Sequence, residues 1–192
     1  AGLSVEESLI AECGPTIEDG YQGARRLLAL SERPTVIIAI NDFHGNIAKP
    51  SIPLDVIAAD GRTAQVPAGG GAYLASAIDG LRAQHPHHLV ISAGAMIGAS
   101  PLISSLYLDE PTIGVMNRIG LDFNAVGNHE FDRGRQELLR MQNGGCEKFT
   151  ARTPCAVEPA FPGASFQYLA ANVITEDGST LFPASAIRRF GE

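Results

Sequence analysis

Asp42 and His44 are the first residues along the chain whose types and spacing could bind a metal ion. In an extended segment, residues i and i+2 point to the same side, so this carboxylate and this imidazole could reach one cation. Aspartate oxygen and histidine nitrogen suit zinc, manganese or iron. An Asp-x-His pair alone is weak support for a metal site, because an aspartate that caps a turn beside a surface histidine has the same sequence.

The segment Gly127-Asn128-His129-Glu130 is a second candidate for chemistry. The Asn128 side chain offers a neutral oxygen to a metal, and His129 could donate a proton or a hydrogen bond to a substrate oxygen. Asp132 is close enough in sequence to orient the His129 ring, as carboxylates often do for functional histidines. The alternative is a polar turn that contains a hydrogen-bonded histidine.

Both clusters directly follow predicted strands, which are short apolar runs of the kind buried between two layers. Strands are predicted at residues 35–40, 89–93, 123–126, 168–173 and 186–190, and helices at 72–84, 111–120 and 133–142. Residues 47–68 are predicted to be a loop, because proline and glycine interrupt them. The alternation of strands and helices indicates an α/β fold, whose ligand sites form at the carboxyl ends of the strands. The candidate site therefore comprises residues 41–46, 94–100 and 127–132.

The composition limits the classes of partner. The 192 residues are 45% hydrophobic and carry a net charge of −7. An acidic surface is a poor match for DNA or RNA polymers, but it allows one small phosphorylated ligand if a metal supplies positive charge. No apolar run approaches the roughly 18–20 residues that a membrane span needs.

Cys146 and Cys155 stand nine residues apart in a stretch rich in glycine and proline. This spacing predicts a local disulfide, which would place the protein in an oxidising compartment, either periplasmic or extracellular. The alternative is a pair of free thiols in a cytosolic loop. The third cysteine, Cys13, receives no role.

Four motifs occur in one order along the chain: Asn-Asp-Phe-His-Gly, a Gly-Gly-Gly that opens a helix, Ser-Ala-Gly-x-Met-Ile-Gly-Ala-Ser-Pro, and Gly-Asn-His-Glu-Phe-Asp-x-Gly. Together they resemble the 5′-nucleotidase branch of the calcineurin-like metallophosphoesterases over residues 35–190. The resemblance implies a four-layer αββα sandwich. Residues 35–192 would form the N-terminal part of its catalytic domain, after a helical extension at 1–34. The C-terminal part and the nucleotide-binding domain would be absent.

The resemblance also implies a site and a reaction. Two divalent metal ions, zinc or manganese, would clamp a phosphate, with Asp42 and His44 on the first metal and Asn128 on the second. His129, helped by Asp132, would stabilise the phosphate or the leaving oxygen. The substrate would be a nucleotide or another small phosphoester.

Two departures from the family pattern limit this interpretation. Ala95 occupies the position of the aspartate that both metals share in the family, and alanine offers no ligand atom. One such change among intact neighbours indicates an inactivating substitution, engineered or natural. The family also supplies histidines from further downstream, whereas none follows His129 here, and the histidines at 85–88 are predicted to lie in a solvated loop. We therefore expect a fragment that a C-terminal fragment or a second chain could complete.

The sequence leaves three functions open. The first is a nucleotidase-type hydrolase that is weakly active or inactive as written. The second is a pseudoenzyme that binds a nucleotide or a protein partner, which Ala95 favours. The intact His129 and Asp132 favour the hydrolase, because binding alone has no need of them. The third keeps the fold but acts on cyclic nucleotides, UDP-sugars or inorganic thio-compounds.

Overall fold

Four parallel strands and the helices that connect them dominate the computed structural model, which describes residues 36–190. The predicted helical extension at 1–34, and Cys13 within it, lie outside the described residues. None of the helices described is both long and apolar enough to span a membrane. In chain order the elements are β1 (Val36–Ile40), β2 (Leu54–Ile57), β3 (Thr63–Val66), α1 (Gly71–Gln84), β4 (His88–Ser92), α2 (Leu102–Ser105), α3 (Glu110–Ile119), β5 (Phe123–Ala125), a 3₁₀ helix (Asn128–Phe131), α4 (Arg135–Asn143) and β6 (Gln167–Leu169).

The strand order β1-β4-β5-β6 brings the predicted site segments to one end of the sheet. All pairings in this sheet are parallel, with Ile38 opposite Val90 and Ser92 opposite Asn124. The strands predicted at 35–40, 89–93 and 123–126 are neighbours in this sheet, and β1 lies at its edge among the described residues. Because β4 lies between β1 and β5, the loops that follow these strands meet at their carboxyl ends.

One face of the sheet packs against the helices. Strand residues such as Ile38, Val90 and Tyr168 join apolar residues of α1, α3 and α4 in one buried cluster. The connections from β1 through β6 advance in a single direction across the sheet, and right-handed crossovers then put their helices on the same face. The helices therefore support the strand ends, and the loops that follow them, from one side.

The opposite face of the sheet is only partly covered by the described residues. Ile37 is 48% exposed, and Leu89, Ile91 and Phe123, which follow it across the register, are partly exposed. Parallel sheets are ordinarily buried on both faces. In the predicted four-layer sandwich, a second sheet lies on this side. The described residues thus correspond to one sheet of that predicted sandwich with its helices.

Residues 47–68 are not the plain loop that the sequence predicted, because β2 and β3 form an antiparallel hairpin. The turn between them is closed by Asp60, whose Oδ1 accepts a hydrogen bond from the Arg62 amide at 3.0 Å. Gly61 supplies the positive φ of 79° that the turn needs. The prolines that suggested a loop all fall outside the two strands, where they do not interrupt the hydrogen-bond ladder.

The predicted strand at residues 186–190 is wrong, and the one at 168–173 is shorter than expected. β6 ends at Leu169, and within the described chain the later apolar run pairs with no strand. Ile187 is 60% exposed, and Phe190 packs instead against the His87 ring at 5.8 Å. An apolar run forms a strand only where a neighbour offers a ladder. The short helix α2 was not predicted from the sequence.

A disulfide joins Cys146 and Cys155 and closes a loop beside a buried group of charges. The Arg140 side chain is only 1% exposed and donates hydrogen bonds to Glu110 and Glu137. The Cys155 amide also donates to Glu110, at 2.9 Å. Buried charges are costly when a partner is lost. The disulfide therefore holds in place a segment that helps to satisfy the buried charges.

Removal of this disulfide is expected to lower the free energy of unfolding by about 2–3 kcal/mol, the loop-closure entropy for a short loop. The measurement is urea unfolding of the Cys146→Ser/Cys155→Ser double variant, made in a Cys13→Ser background so that no other pairing can form. A reductant should destabilise the bridged parent to the same extent and leave the double variant unchanged. Equal stability of the parent and the double variant would contradict the prediction.

Candidate functional site

The loop after β1 holds Asp42 and His44 against the loop after β4. The Asp42 amide donates to the Gly94 carbonyl and the His44 amide to the Ala95 carbonyl, both at 3.0 Å. The two residues have φ values of 51° and 47°, so the extended geometry expected from the sequence is wrong. Their side chains nevertheless converge, with the Asp42 Oδ1 3.5 Å from the His44 Nε2. A single cation could therefore contact both groups.

The His44 ring is held in one tautomer by the backbone. Its Nδ1 lies 2.8 Å from the Gly98 carbonyl oxygen. Because a carbonyl can only accept, Nδ1 carries the proton and Nε2 keeps the lone pair that a metal ligand needs. Gly98 has a φ of 82°, and a Cβ atom there would lie 2.2 Å from the His129 carbonyl oxygen. Only glycine allows this close approach of the two loops.

His129 and Asp132 form a second pair on the other side of the site. The His129 Nδ1 lies 3.1 Å from the Asp132 carboxylate, and the His129 ring meets the His44 ring edge to face at 4.8 Å between centroids. Both side chains of the pair are about one-third exposed, at 35% and 39%. The carboxylate fixes the ring, and the Nε2 atom is then free to meet a ligand.

The pKa of Asp132 is set by opposing effects. Burial tends to raise the pKa of this carboxyl, but the hydrogen bonds from the His129 ring and the Ala99 amide, together with the charge on the imidazole, outweigh burial and lower it. The carboxylate is therefore ionised at neutral pH. A negative charge in this place stabilises a positive charge on the His129 imidazole.

Ala95 lies where the loops after β4 and β5 come together. It is 5% exposed and has a φ of 52°. A Cβ atom on the preceding Gly94 would lie 2.9 Å from the Gly127 amide nitrogen. Left-handed backbone is strained for alanine, whereas aspartate and asparagine adopt it more readily. The backbone at position 95 thus suits alanine less well than it suits aspartate, the residue at this position in the family that the sequence resembles.

Left-handed residues other than glycine concentrate around the candidate site. Four of them, Asp42, His44, Ala95 and Ala99, lie in the loops after β1 and β4. Such conformations cost about 1–3 kcal/mol each and persist where the surrounding structure imposes them. Such a concentration is typical of functional sites, which makes these loops the candidate site.

Glu130 is the residue of this region to which the sequence analysis gave no role. Its side chain is buried at 2% exposure, and its carboxylate accepts hydrogen bonds from the backbone amides of Ala95, Met96 and Gly127. A glutamate three residues after the residue that precedes a helical turn is the capping-box position. That spacing could have identified the contact to Gly127, but not the contacts across to the other loop.

The described residues provide only part of a metal centre. Asn128 begins the 3₁₀ helix and is exposed, so its amide oxygen is open to a ligand. Within residues 36–190, no three side chains of His, Cys, Asp or Glu gather into a group that could hold a metal. The histidines at 85–88 lie where β4 begins, at the opposite end from the site, and His88 is bonded to the His85 carbonyl at 2.9 Å.

Comparison with known proteins gives several relatives, although no family model matches the chain. The chain is 47% identical over 194 residues to an uncharacterized protein in the pqq-V 5′ region of Acinetobacter calcoaceticus, covering 98% of this chain and 93% of that protein. It is 37% identical over 144 residues to Endonuclease YhcR of Bacillus subtilis, over 74% of this chain. It is also 35% identical over 161 residues to a probable 5′-nucleotidase of Treponema pallidum, over 81% of this chain.

One solved structure is also similar to this chain. The chain superimposes on the NAD nucleotidase of Haemophilus influenzae with a TM-score of 0.53 and 26% identity, over 74% of this chain and 21% of that one. The chain spans only 12% of the length of the Bacillus endonuclease and 23% of the Treponema protein. The similarity to these longer proteins is therefore confined to one part of each.

Proposed function

We propose, from the premise that this chain belongs to the 5′-nucleotidase family and forms the N-terminal part of its domain, that it carries half of a metal-dependent site that hydrolyses nucleotides. The observation that carries the proposal is the apposition of the Asp42–His44 pair and the His129–Asp132 pair, whose imidazole rings lie 4.8 Å apart. As written, the chain would be inactive or weakly active, because Ala95 has no side-chain ligand atom.

Two divalent metal ions, zinc or manganese, are the proposed cofactors. Asp42 and the lone pair of the His44 Nε2 would hold the first, and the Asn128 amide oxygen would hold the second. When bound, such ions neutralise charge on the attacking and leaving oxygens of an in-line displacement at phosphorus. The residues fit this centre in part, since protein metal sites generally need three or four ligands and position 95 provides none.

His129 and Asp132 would act on the phosphoester itself. The Nδ1 proton of His129 is held by Asp132, so the Nε2 atom faces the ligand side. A protonated His129 would donate a hydrogen bond from Nε2 to a phosphate oxygen, or a proton to the leaving oxygen. The ionised Asp132 would stabilise the imidazolium during that step. Neither residue is needed for metal binding, which is why their presence favours hydrolysis over binding alone.

Completion of the site would come from a C-terminal segment or from a second chain. The partly exposed sheet face that contains Ile37, Ile91 and Phe123 is apolar and lies opposite the helices. A second sheet packed there could supply further histidine ligands to the metals. The described residues after Leu169 add no strand to this sheet.

The proposed substrate is a nucleotide or another small phosphoester. One relative is called an endonuclease, which raises a nucleic-acid polymer as the second candidate. The net charge of −7 disfavours that candidate, since polymer binding relies on many basic contacts to phosphates. Hydrolysis of mononucleotides but not of single-stranded DNA by a completed site would separate the two.

A pseudoenzyme is the alternative to a hydrolase, and Ala95 is the observation that favours it. Ala95 is buried at 5% exposure and offers no side-chain ligand atom at the position where the family has a shared aspartate. In that case the chain would bind a nucleotide or a protein partner without turnover. The proposed location is periplasmic or extracellular, supported by the disulfide between Cys146 and Cys155.

The isolated chain is expected to bind Mn²⁺ weakly and with fewer than two ions per chain. The physical reason is that Asp42 and His44 give one position only two ligands, while Asn128 alone serves the other. Equilibrium dialysis with elemental analysis gives the stoichiometry, with and without a nucleoside monophosphate. Asp42→Asn should abolish the binding, whereas Asp55→Asn, in the exposed β2 strand, should leave it unchanged. Two tightly held ions per isolated chain, or equal binding by both variants, would contradict the proposal.

A further inference from the structure

Glu130 places a buried negative charge among backbone amides rather than beside a cation. Oε2 accepts from the Ala95 amide at 3.0 Å and the Gly127 amide at 2.8 Å. Oε1 accepts from the Met96 amide at 2.9 Å and from the Asn124 Nδ2 at 3.4 Å. All four partners are donors, so the arrangement requires the ionised carboxylate, with both oxygens used twice.

These hydrogen bonds join the loop after β4 to the loop after β5 beside position 95. The ladder between β4 and β5 consists of the pairs Ile91–Phe123 and Ser92–Asn124. Beyond Ser92 and Asn124, no backbone hydrogen bond in the described chain connects the loop after β4 to the loop after β5. The Ala99 amide also donates to the Asp132 carboxylate, at 2.9 Å, but this contact lies further along both loops. The separation between position 95 and Asn128, which directly follows Gly127, therefore depends mainly on the Glu130 carboxylate.

We propose that Glu130 is a positioning residue that sets the distance between position 95 and Asn128, and thus between the shared ligand position and the second metal position. The inference rests on the proposed function for the identity of those positions. The carboxylate also fixes the Ala95 amide on one side while the Ala95 carbonyl accepts from His44 on the other. Ala95 is thereby held in its left-handed conformation from both ends of the residue.

A carboxylate can accept all four of these hydrogen bonds, whereas a side-chain amide has only one acceptor oxygen. Glutamine has one acceptor oxygen, so Glu130→Gln could keep the contacts of Oε2 but would turn an NH₂ group toward the Met96 amide. Two donors then face each other in a buried place, which costs more than the loss of one hydrogen bond. Glu130→Asp keeps the charge but is one methylene shorter, so it could reach one loop or the other.

Amide hydrogen exchange of the chain without any metal tests the positioning. Glu130→Gln should raise the exchange rate of the Met96 amide by at least about tenfold, because an unsatisfied buried donor is costly. The exchange rates of the Ala95 and Gly127 amides should rise less. The Cα and Hα shifts of Ala95 should lose their left-handed signature. The Val90 amide, which donates to Asp122 in the same sheet, should keep its protection.

Glu137→Gln is the matched control for general destabilisation. Glu137 is similarly buried, at 3% exposure, but its carboxylate accepts hydrogen bonds from Arg140 instead of from these loop amides. This control should lower overall stability without changing the three amides selectively. Unchanged exchange at Ala95, Met96 and Gly127 in Glu130→Gln, or equal changes in both variants, would overturn the proposal.

A second measurement connects the positioning to metal binding. In an Ala95→Asp chain, adding Glu130→Gln should weaken Mn²⁺ affinity by about 10–100-fold, the usual effect of losing a group that orients ligands. Electron paramagnetic resonance of Mn²⁺ gives this affinity at a temperature where both variants are folded. Unchanged affinity would overturn the positioning role. If Ala95→Asp itself binds no Mn²⁺, the proposed function fails, while the exchange experiment still decides whether Glu130 holds the loops.

Discussion

Ala95→Asp, in a longer chain that adds histidine ligands to the site, is expected to raise the rate of hydrolysis of a nucleoside monophosphate by about two to four orders of magnitude. A shared carboxylate can contact both cations and offset the repulsion between two dications about 4 Å apart, an effect worth several kcal/mol in the transition state. Position 95 is buried between the loops that contain Asp42 and Asn128. The measurement is phosphate release with added Mn²⁺ or Zn²⁺.

Two substitutions at the same position separate ligation from backbone strain. Ala95→Gly should relieve the left-handed strain at φ 52° and stabilise the fold by about 1 kcal/mol, without any gain in rate. Ala95→Asn should also fit the backbone, but it supplies a neutral oxygen in place of a charge, so it should recover only part of the rate. If the Asp variant folds, binds two metals and hydrolyses no phosphoester, the hydrolase proposal fails and the pseudoenzyme replaces it.

The Ala95→Asp substitution also has an expected cost in the absence of metal. A carboxylate at a position that is 5% exposed, near the carboxylate of Asp42, loses hydration and meets a like charge. The unfolding temperature of the variant should therefore be lowest in a chelator and should rise with Mn²⁺ concentration, because a metal that binds only the folded state stabilises it. The parent chain should show a much smaller dependence on Mn²⁺.

The parallel sheet, and the end of the sheet at which the candidate site lies, could be predicted because the relevant information is local in the sequence. Continuous apolar runs identified β1, β4 and β5, and the polar motifs stood directly after them. The hairpin at β2 and β3 was missed because its prolines suggested a loop, although its turn residues, Asp60 and Gly61, were present. The error at 186–190 has a different cause, since strand formation there depends on a neighbour that periodicity cannot reveal.

The residues of the site could be predicted from the sequence more readily than their backbone conformations and contacts. Asp42 and His44 converge, but through left-handed backbone rather than through the extended geometry that the spacing suggested. Two of the four donors around Glu130, the amides of Ala95 and Met96, are 35 and 34 residues away from it in sequence. No spacing rule links such distant backbone amides to one carboxylate, so this contact needed the three-dimensional arrangement.

His129→Ala, in the longer chain with Ala95→Asp, is expected to lower kcat by about 10²–10⁴-fold, the usual contribution of a positioned proton-transfer group. Metal stoichiometry should stay at that of the parent, because His129 is not among the proposed ligands. Steady-state kinetics and elemental analysis on the same preparation measure both quantities. His87→Ala removes an exposed histidine at the opposite end of β4 and should change neither. Loss of metal from His129→Ala would instead assign this residue to metal binding.

Asp132→Asn then distinguishes a proton-transfer role for His129 from a purely steric one. The pKa of Asp132 is lowered by its hydrogen bonds from His129 and Ala99, despite the opposing effect of burial, so its charge is present throughout the neutral range. Asparagine keeps the size and could still accept the Nδ1 proton, but it removes the charge that stabilises the imidazolium. Loss of this charge should lower kcat, with a smaller loss than for His129→Ala. A kcat equal to that of the parent would show that the Asp132 charge plays no part in the reaction.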